Sequence, residues 1–212
     1  MCKRLVLILV VIIMVPGQIF AQKAGSFIAS IDIGLTAPVG DFSTDTTLKS
    51  ESGFGFGGEL RYALLNNLSL GPFFKYYRFG SSSQSSSGSI SYNFVQYGGL
   101  IRLNVYNVND GKLYIVGGGG AFKPNAHSWS REQIKNESFE SDIFFTAGLG
   151  LCSNPYAKTI YEFEVLYNTG NADWNRITYE GEELNSNHNF DFIYLCMKIS
   201  FNTGGETAPP RY

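Results

Sequence analysis

Apolar and polar residues alternate along most of the chain after position 26, so that side chains two apart share one face of a strand. The first such segment places Phe27, Ala29, Ile31, Ile33 and Leu35 on one face and Ser30, Asp32, Gly34 and Thr36 on the other. A second sets Phe54, Phe56, Leu60, Tyr62 and Leu64 against Gly55, Gly57, Glu59, Arg61 and Ala63. The third sets Leu68, Leu70, Phe74 and Tyr76 against Ser69, Gly71, Phe73, Lys75 and Tyr77. The fourth sets Val95, Tyr97, Ile101, Leu103 and Val105 against Gln96, Gly98, Arg102 and Asn104. A fifth, Lys112 to Lys123, is ambiguous because Gly117 to Gly120 erase the pattern. The sixth sets Ile143, Phe145, Ala147, Leu149 and Leu151 against Thr146, Gly148, Gly150 and Cys152. In the seventh, Tyr161, Phe163, Val165 and Tyr167 oppose Glu162 and Glu164. The eighth sets Ile193, Leu195, Met197, Ile199 and Phe201 against Tyr194, Cys196, Lys198 and Ser200.

The connections between these strands alternate in length. Short turns are predicted at Asn66-Asn67, Asn107 to Gly111 and Ser153 to Ala157. Long ones are predicted at Pro38 to Ser52, Gly80 to Ser91, Pro124 to Ser141 and Thr169 to Asn189. An even number of strands with short turns on one side and long loops on the other is the pattern of a barrel that crosses an outer membrane. Lipid offers the backbone no hydrogen-bond partner, so strands can cross only if the sheet closes on itself. The expected fold is an all-β, eight-stranded antiparallel up-and-down transmembrane barrel, with both termini on the periplasmic, short-turn side.

Composition agrees with that picture. Charged residues make up 16% of the 212, below the roughly 25% of ordinary soluble domains. Gly, Phe and Tyr number 24, 17 and 13. At the N-terminus, Lys3 and Arg4 precede the apolar run Leu5 to Val15, Pro16-Gly17 breaks it, and Ala21 supplies a small residue for cleavage. This is the order of a secretory signal peptide, and the run is shorter than the about 20 residues a membrane helix needs. The chain thus divides into a signal peptide at 1–21, a barrel at 22–201 and a flexible tail at 202–212. Cleavage after Ala21 removes Lys3 and Arg4 and leaves a net charge of −4. No basic cluster remains, which argues against nucleic acid as a partner. Cys152 and Cys196 lack metal or redox spacing; they share a face but not adjacent strands, so a disulfide is open but not favoured.

The polar faces carry the candidate site. Asp32, Glu59, Glu162 and Glu164 supply four negative charges, and Arg61, Lys75, Arg102 and Lys198 supply four positive ones. Eight strands leave a lumen that side chains just fill, and enclosed charges are costly unless paired. A balanced set is the expected filling of a closed, ion-paired interior, with a structural rather than a catalytic role.

The signal peptide, the Phe/Tyr-rich strands, the segment Gly71-Pro72-Phe73-Phe74-Lys75-Tyr76-Tyr77, the glycine-rich fifth strand and the apolar last strand resemble the small outer-membrane β-barrel domain family of the Bacteroidota. That family is similar in architecture to OmpX- and OmpA-type eight-stranded barrels. The resemblance spans Gln22 to Phe201. It implies a place in the cell outer membrane, contact with outer-membrane lipid, and barrel-assembly machinery as a partner during insertion. Such barrels commonly end on an aromatic residue that this machinery reads. Here Phe201 is followed by Asn202 to Tyr212, so either Phe201 or Tyr212 takes that part.

Other motifs have plainer explanations. Gly53, Gly55 and Gly58 match a dinucleotide fingerprint, yet Phe54, Phe56 and Leu60 continue a strand where that motif needs a helix. Gly117 to Gly120 lack the Lys-Ser/Thr of a phosphate loop and read as barrel curvature. Pro72 is read as lying near the periplasmic end of strand three, where one missing bond matters little; a lateral opening to lipid is the alternative. Ser81 to Ser89 reads as a flexible outer loop, and Trp129, Phe139, Trp174 and Tyr179 as headgroup contacts.

No catalytic, cofactor or metal site is expected. The leading function is a non-enzymatic outer-membrane barrel whose loops serve adhesion, envelope integrity or secretion-system assembly, with an extracellular or secretion-system protein as partner. The alternatives are a lipid A-modifying enzyme using His127 with Ser128 or His188 with Asp191, a narrow pore, and a soluble lipocalin-like barrel.

Overall fold

Alternation of this kind becomes a barrel only if the first strand finds the last. It does so in the computed structural model of the chain, which describes residues 24–44, 50–80, 90–108, 111–128, 134–140, 142–178 and 183–204. Among the described residues the strands are β1 (Phe27–Val39), β2 (Gly53–Ala63), β3 (Leu68–Phe79), β4 (Ile90–Val108), β5 (Gly111–Ser128), β6 (Ile134–Phe139), β7 (Asp142–Cys152), β8 (Thr159–Thr178), β9 (Glu183–Asn189) and β10 (Asp191–Asn202), with one short helix, α1 (Asp41–Thr44). Eight of the strands run in the order β1-β2-β3-β4-β5-β7-β8-β10, all neighbours antiparallel. β10 pairs with both β8 and β1, which closes the ring. Backbone polar groups along the wall therefore find partners within the sheet, as a membrane demands.

The outside of the wall is apolar. Ile31, Phe145 and Met197 are 61%, 64% and 67% exposed, values that in water would be costly for a row of such residues. Leu35, Phe56, Ile101, Leu149, Tyr161 and Leu195 continue the belt around the barrel. Inward positions on the same strands are buried, so the soluble lipocalin-like reading, which needs polar residues outside, is ruled out by the faces themselves. Among the described residues no helix is long and apolar enough to cross a membrane; the crossing is made by strands.

Several boundaries differ from the sequence expectation. Pro124 to Ser141 and Thr169 to Asn189 are not simple loops. β5 continues to Ser128, β8 continues to Thr178, and β6 and β9 pair with the two sides of the β8 extension to form a three-stranded sheet. β4 starts at Ile90, which shortens the predicted Gly80 to Ser91 connection. The ambiguous fifth strand is regular: Gly98, Gly99 and Leu100 lie opposite Gly120, Gly119 and Gly118 without a break. Pro72 sits four residues into β3, opposite Gly99, and the β2–β3 ladder holds its register across the proline, with Glu59 opposite Phe73 and Tyr62 opposite Leu70.

The predicted signal peptide at 1–21, the Ser81 to Ser89 loop, Trp129, Tyr179 and the tail from 205 onward lie outside the described residues, as do the side chains of His127, Ser128, Phe139 and Trp174.

Candidate functional site

The eight charged residues singled out by the sequence all face the lumen and are all buried. They come from six strands. Asp32 lies on β1, Glu59 and Arg61 on β2, Lys75 on β3, Arg102 on β4, Glu162 and Glu164 on β8, and Lys198 on β10. Arg61 donates from Nη2 to Glu162 Oε1 at 3.0 Å, and its Nε lies 3.0 Å from Glu59 Oε1. Arg102 Nη1 pairs with Glu162 Oε2. Lys198 Nζ donates to Glu59 Oε1 and Glu164 Oε1, both at 3.0 Å. Lys75 Nζ lies 3.6 Å from Asp32 Oδ2 and 3.9 Å from Glu164 Oε1.

These ties join strands that are not neighbours in the sheet. β4 and β8 are separated by β5 and β7, and β2 and β8 by β1 and β10, so the Glu162 contacts cross the lumen. Neutral donors complete the network. Ser200 Oγ donates to Glu162 Oε1 at 2.6 Å, and the Tyr114 hydroxyl lies 3.1 Å from both Glu162 Oε2 and Glu164 Oε2. Tyr194 OH donates to Asp32 Oδ1 at 2.7 Å. Two cations also lie over rings: the Arg102 guanidinium 3.5 Å from the Tyr114 centroid and Lys75 Nζ 4.9 Å from that of Tyr194. A charge with several charge-assisted bonds in a dry interior is expensive to isolate.

Room for these rings comes from glycine. A β-carbon on Gly55 would lie 2.5 Å from the Tyr77 ring and 3.0 Å from that of Tyr194. The Tyr194 hydroxyl also lies 3.1 Å from the Gly55 carbonyl oxygen. Gly55, the middle of the fingerprint-like glycines, therefore floors an aromatic–charge contact on a strand.

The polar inner face does not run the length of the barrel. Toward the end away from the termini the same inward register carries Phe79 on β3, Tyr92 and Phe94 on β4, Phe122 on β5, Phe144 on β7 and Phe192 on β10, all buried. Phe190 and Phe42, the latter from α1, join them. Phe94 has ring contacts with Phe42, Phe79, Phe122, Phe190 and Phe192 at centroid distances of 5.1 to 6.2 Å, edge-on or tilted. The ion-paired filling expected from the sequence occupies one half: the lumen has a charged half near the termini and an aromatic half beyond it. Between them, a cavity of about 10 Å³ bordered by Phe73, Lys75, Thr146 and Asn168 has room for a single water.

The remaining candidates are scattered. Cys152 and Cys196 are buried free thiols on β7 and β10, strands that flank β8. His188, on β9, borders a polar recess of about 260 Å³ at the far rim with Asp41, Thr44, Asn187 and Asn189. Among the described residues no group of three or more His, Cys, Asp or Glu is placed to hold a metal ion.

No protein-family model matches the chain, and no curated protein does. Solved structures do. The outer membrane protein OprG from Pseudomonas aeruginosa superposes with a TM-score of 0.59 at 10% identity, over 87% of this chain and 99% of that one. Neisserial surface protein A gives a TM-score of 0.54 at 14% identity, over 84% of this chain and 98% of that one. At such identities the likeness is one of fold. With the apolar belt and the closed wall, it makes this chain a small eight-stranded barrel of the outer membrane.

Proposed function

We propose that this barrel is a non-enzymatic outer-membrane anchor that holds a rigid display surface outside the cell. The observation that carries this reading is an asymmetry of strand length. β2 and β7 have 11 residues each, close to the about 9–11 that cross a bilayer. β4, β5 and β8 have 19, 18 and 20. The excess of β5 and β8 stands at the end opposite the termini, where β8 carries β6 and β9 on its two sides. The turns at the terminal end are short by comparison.

A strand continued past the lipid needs its own pairing, and here that order is concentrated on one side. Such a surface suits contact with a macromolecule: an adhesion target, another envelope component or part of a secretion system. The filled lumen supports an anchor over a pore, because layered side chains leave space on the scale of one water between them. Phe201 is the last outward aromatic of the closing strand β10, which supports its being the residue the assembly machinery reads. For the lipid A-modifying reading, the recess at His188 holds Asp41, Thr44, Asn187 and Asn189 rather than the expected Asp191, and the side chains of His127 and Ser128 lie outside the described residues.

The test replaces residues 171–189, the outer β8–β9 hairpin, by a short turn in the full chain. Heat-modifiable gel mobility should persist, while cell attachment or detergent tolerance conferred by the intact protein is lost. If every such phenotype survives, and His188→Ala alters lipid A mass in the intact chain, the enzymatic reading replaces this one.

A further inference from the structure

The aromatic half of the lumen is completed by a residue that does not belong to the wall. Phe42 is 1% exposed and is the buried residue of α1, a single turn in the β1–β2 connection. Its ring centroid lies 5.1 Å from Phe79, 5.2 Å from Phe190, 5.5 Å from Phe94 and 5.8 Å from Tyr92. Three of the four contacts are edge-on, the geometry that opposes a positive ring edge to a negative ring face. The four partners come from β3, β4 and the residue between β9 and β10, so together they form a cup shaped for one phenyl ring.

The ring is deep, but its backbone is held lightly. Asp41 and Thr44 are exposed. Ser43 N and Oγ and Thr44 Oγ1 all donate to the Gly40 carbonyl, a contact within the turn itself. Among the described residues, the polar ties from α1 to the rest of the molecule are Ser50 N to Phe42 O at 3.2 Å and Asn189 Nδ2 to Asp41 Oδ2 at 3.5 Å. Gly40 has φ +59°, a left-handed conformation that suits glycine, and it joins α1 to the end of β1. The turn therefore has a pivot at its root, few anchors along its length and one deeply seated side chain.

We propose that Phe42 is an internal ligand of a ring-binding site in the far mouth of the barrel, and that swinging α1 about Gly40 exchanges it for a small uncharged aromatic molecule of benzene size. The chemical class follows from the ring that now fills the cup. A charged ligand would lose its hydration against four aromatic walls with no counter-ion among them. A long one would meet Phe192 and Tyr77, which continue the ring contacts below the cup, Phe79–Phe192 at 5.2 Å and Phe192–Tyr77 at 4.8 Å. The exchange leaves the charged half untouched, so the site is a pocket and opens no passage. Dry apolar cavities of this kind take up benzene when a filling side chain is removed.

The test uses the full chain in lipid nanodiscs and crystals, with fluorobenzene and iodobenzene as probes. In Phe42→Ala, iodobenzene should give anomalous density in the cup. Fluorobenzene should bind this variant about tenfold or more tightly than it binds the wild type, because the wild-type cup is open for only a fraction of the time. A thiol-reactive spin label on Asp41→Cys, which keeps Phe42, should gain mobility when benzene is added. An empty cup in Phe42→Ala overturns the ring site. A label whose mobility is unchanged at saturating benzene overturns the exchange, leaving Phe42 a fixed plug. Should Phe42→Ala fail to assemble, the labelled chain with its intact ring decides the matter by itself.

Discussion

The two halves of the lumen occupy the same inward register of the same strands, yet they are held by opposite physics. On β3, Lys75 is followed two residues on by Tyr77 and then Phe79; on β10, Lys198 is preceded by Cys196, Tyr194 and Phe192. Near the termini, the charges are held by directed contacts, several of which cross the lumen, and Glu162 alone receives Arg61, Arg102 and Ser200. Beyond Tyr194, the rings are held by packing against one another without charge, and Phe94 touches five of them. The charged half should therefore fail at single residues. The aromatic half should yield gradually, since a lost ring leaves the others in contact.

Removing Glu162 tests this contrast most strongly. Glu162→Leu strands the buried Arg102 guanidinium and leaves Arg61 only Glu59, and is expected to lower unfolding stability by about 5 kcal/mol. Urea titration in lipid vesicles measures it, and a loss below about 1 kcal/mol would mean the network is not what holds this half. Phe94→Ala, in the most contacted ring, should cost about 3 kcal/mol in the same titration, with the folded barrel still formed. Ser200→Ala removes one neutral donor to Glu162 and should cost about 1 kcal/mol. Smallest of all should be the joint change Asp32→Leu with Lys75→Met. A buried pair replaced by apolar residues of similar size is close to neutral, within about 1 kcal/mol, although either change alone is not. A joint loss as large as the sum of the single ones would show that the two do not act as a pair.

The same contrast explains what the sequence disclosed. Strands with lipid on one side and charges on the other alternate cleanly, which is why the β1, β2, β8 and β10 cores and all eight charged residues could be read directly. Where the inner face is aromatic, the period is lost or inverted: Phe144 lies between the apolar Ile143 and Phe145, and Tyr92 and Phe94 alternate with the polar Ser91 and Asn93. Tyr92 and Phe94 thus fell outside the predicted fourth strand, and Phe122, Phe144 and Phe192 gave no sign of facing inward. β6 and β9 were missed for the reverse reason. Lys135, Asn136, Glu137 and Ser138, or Asn185, Ser186 and Asn187, lie beyond the lipid and carry no apolar stripe. Phe42 was absorbed into a loop. The one local signal was an isolated aromatic in the turn-forming stretch Gly40-Asp41-Phe42-Ser43, and only the fold shows what it enters.

The lumen is closed by two layers of side chains, and electrical recording across a planar bilayer tests that closure most directly. With the full barrel inserted, as confirmed by heat-modifiable mobility of the recovered protein, the membrane should show no discrete conductance steps. Reproducible ohmic steps that rise with the number of inserted barrels would contradict the filled lumen, and with it the anchor reading.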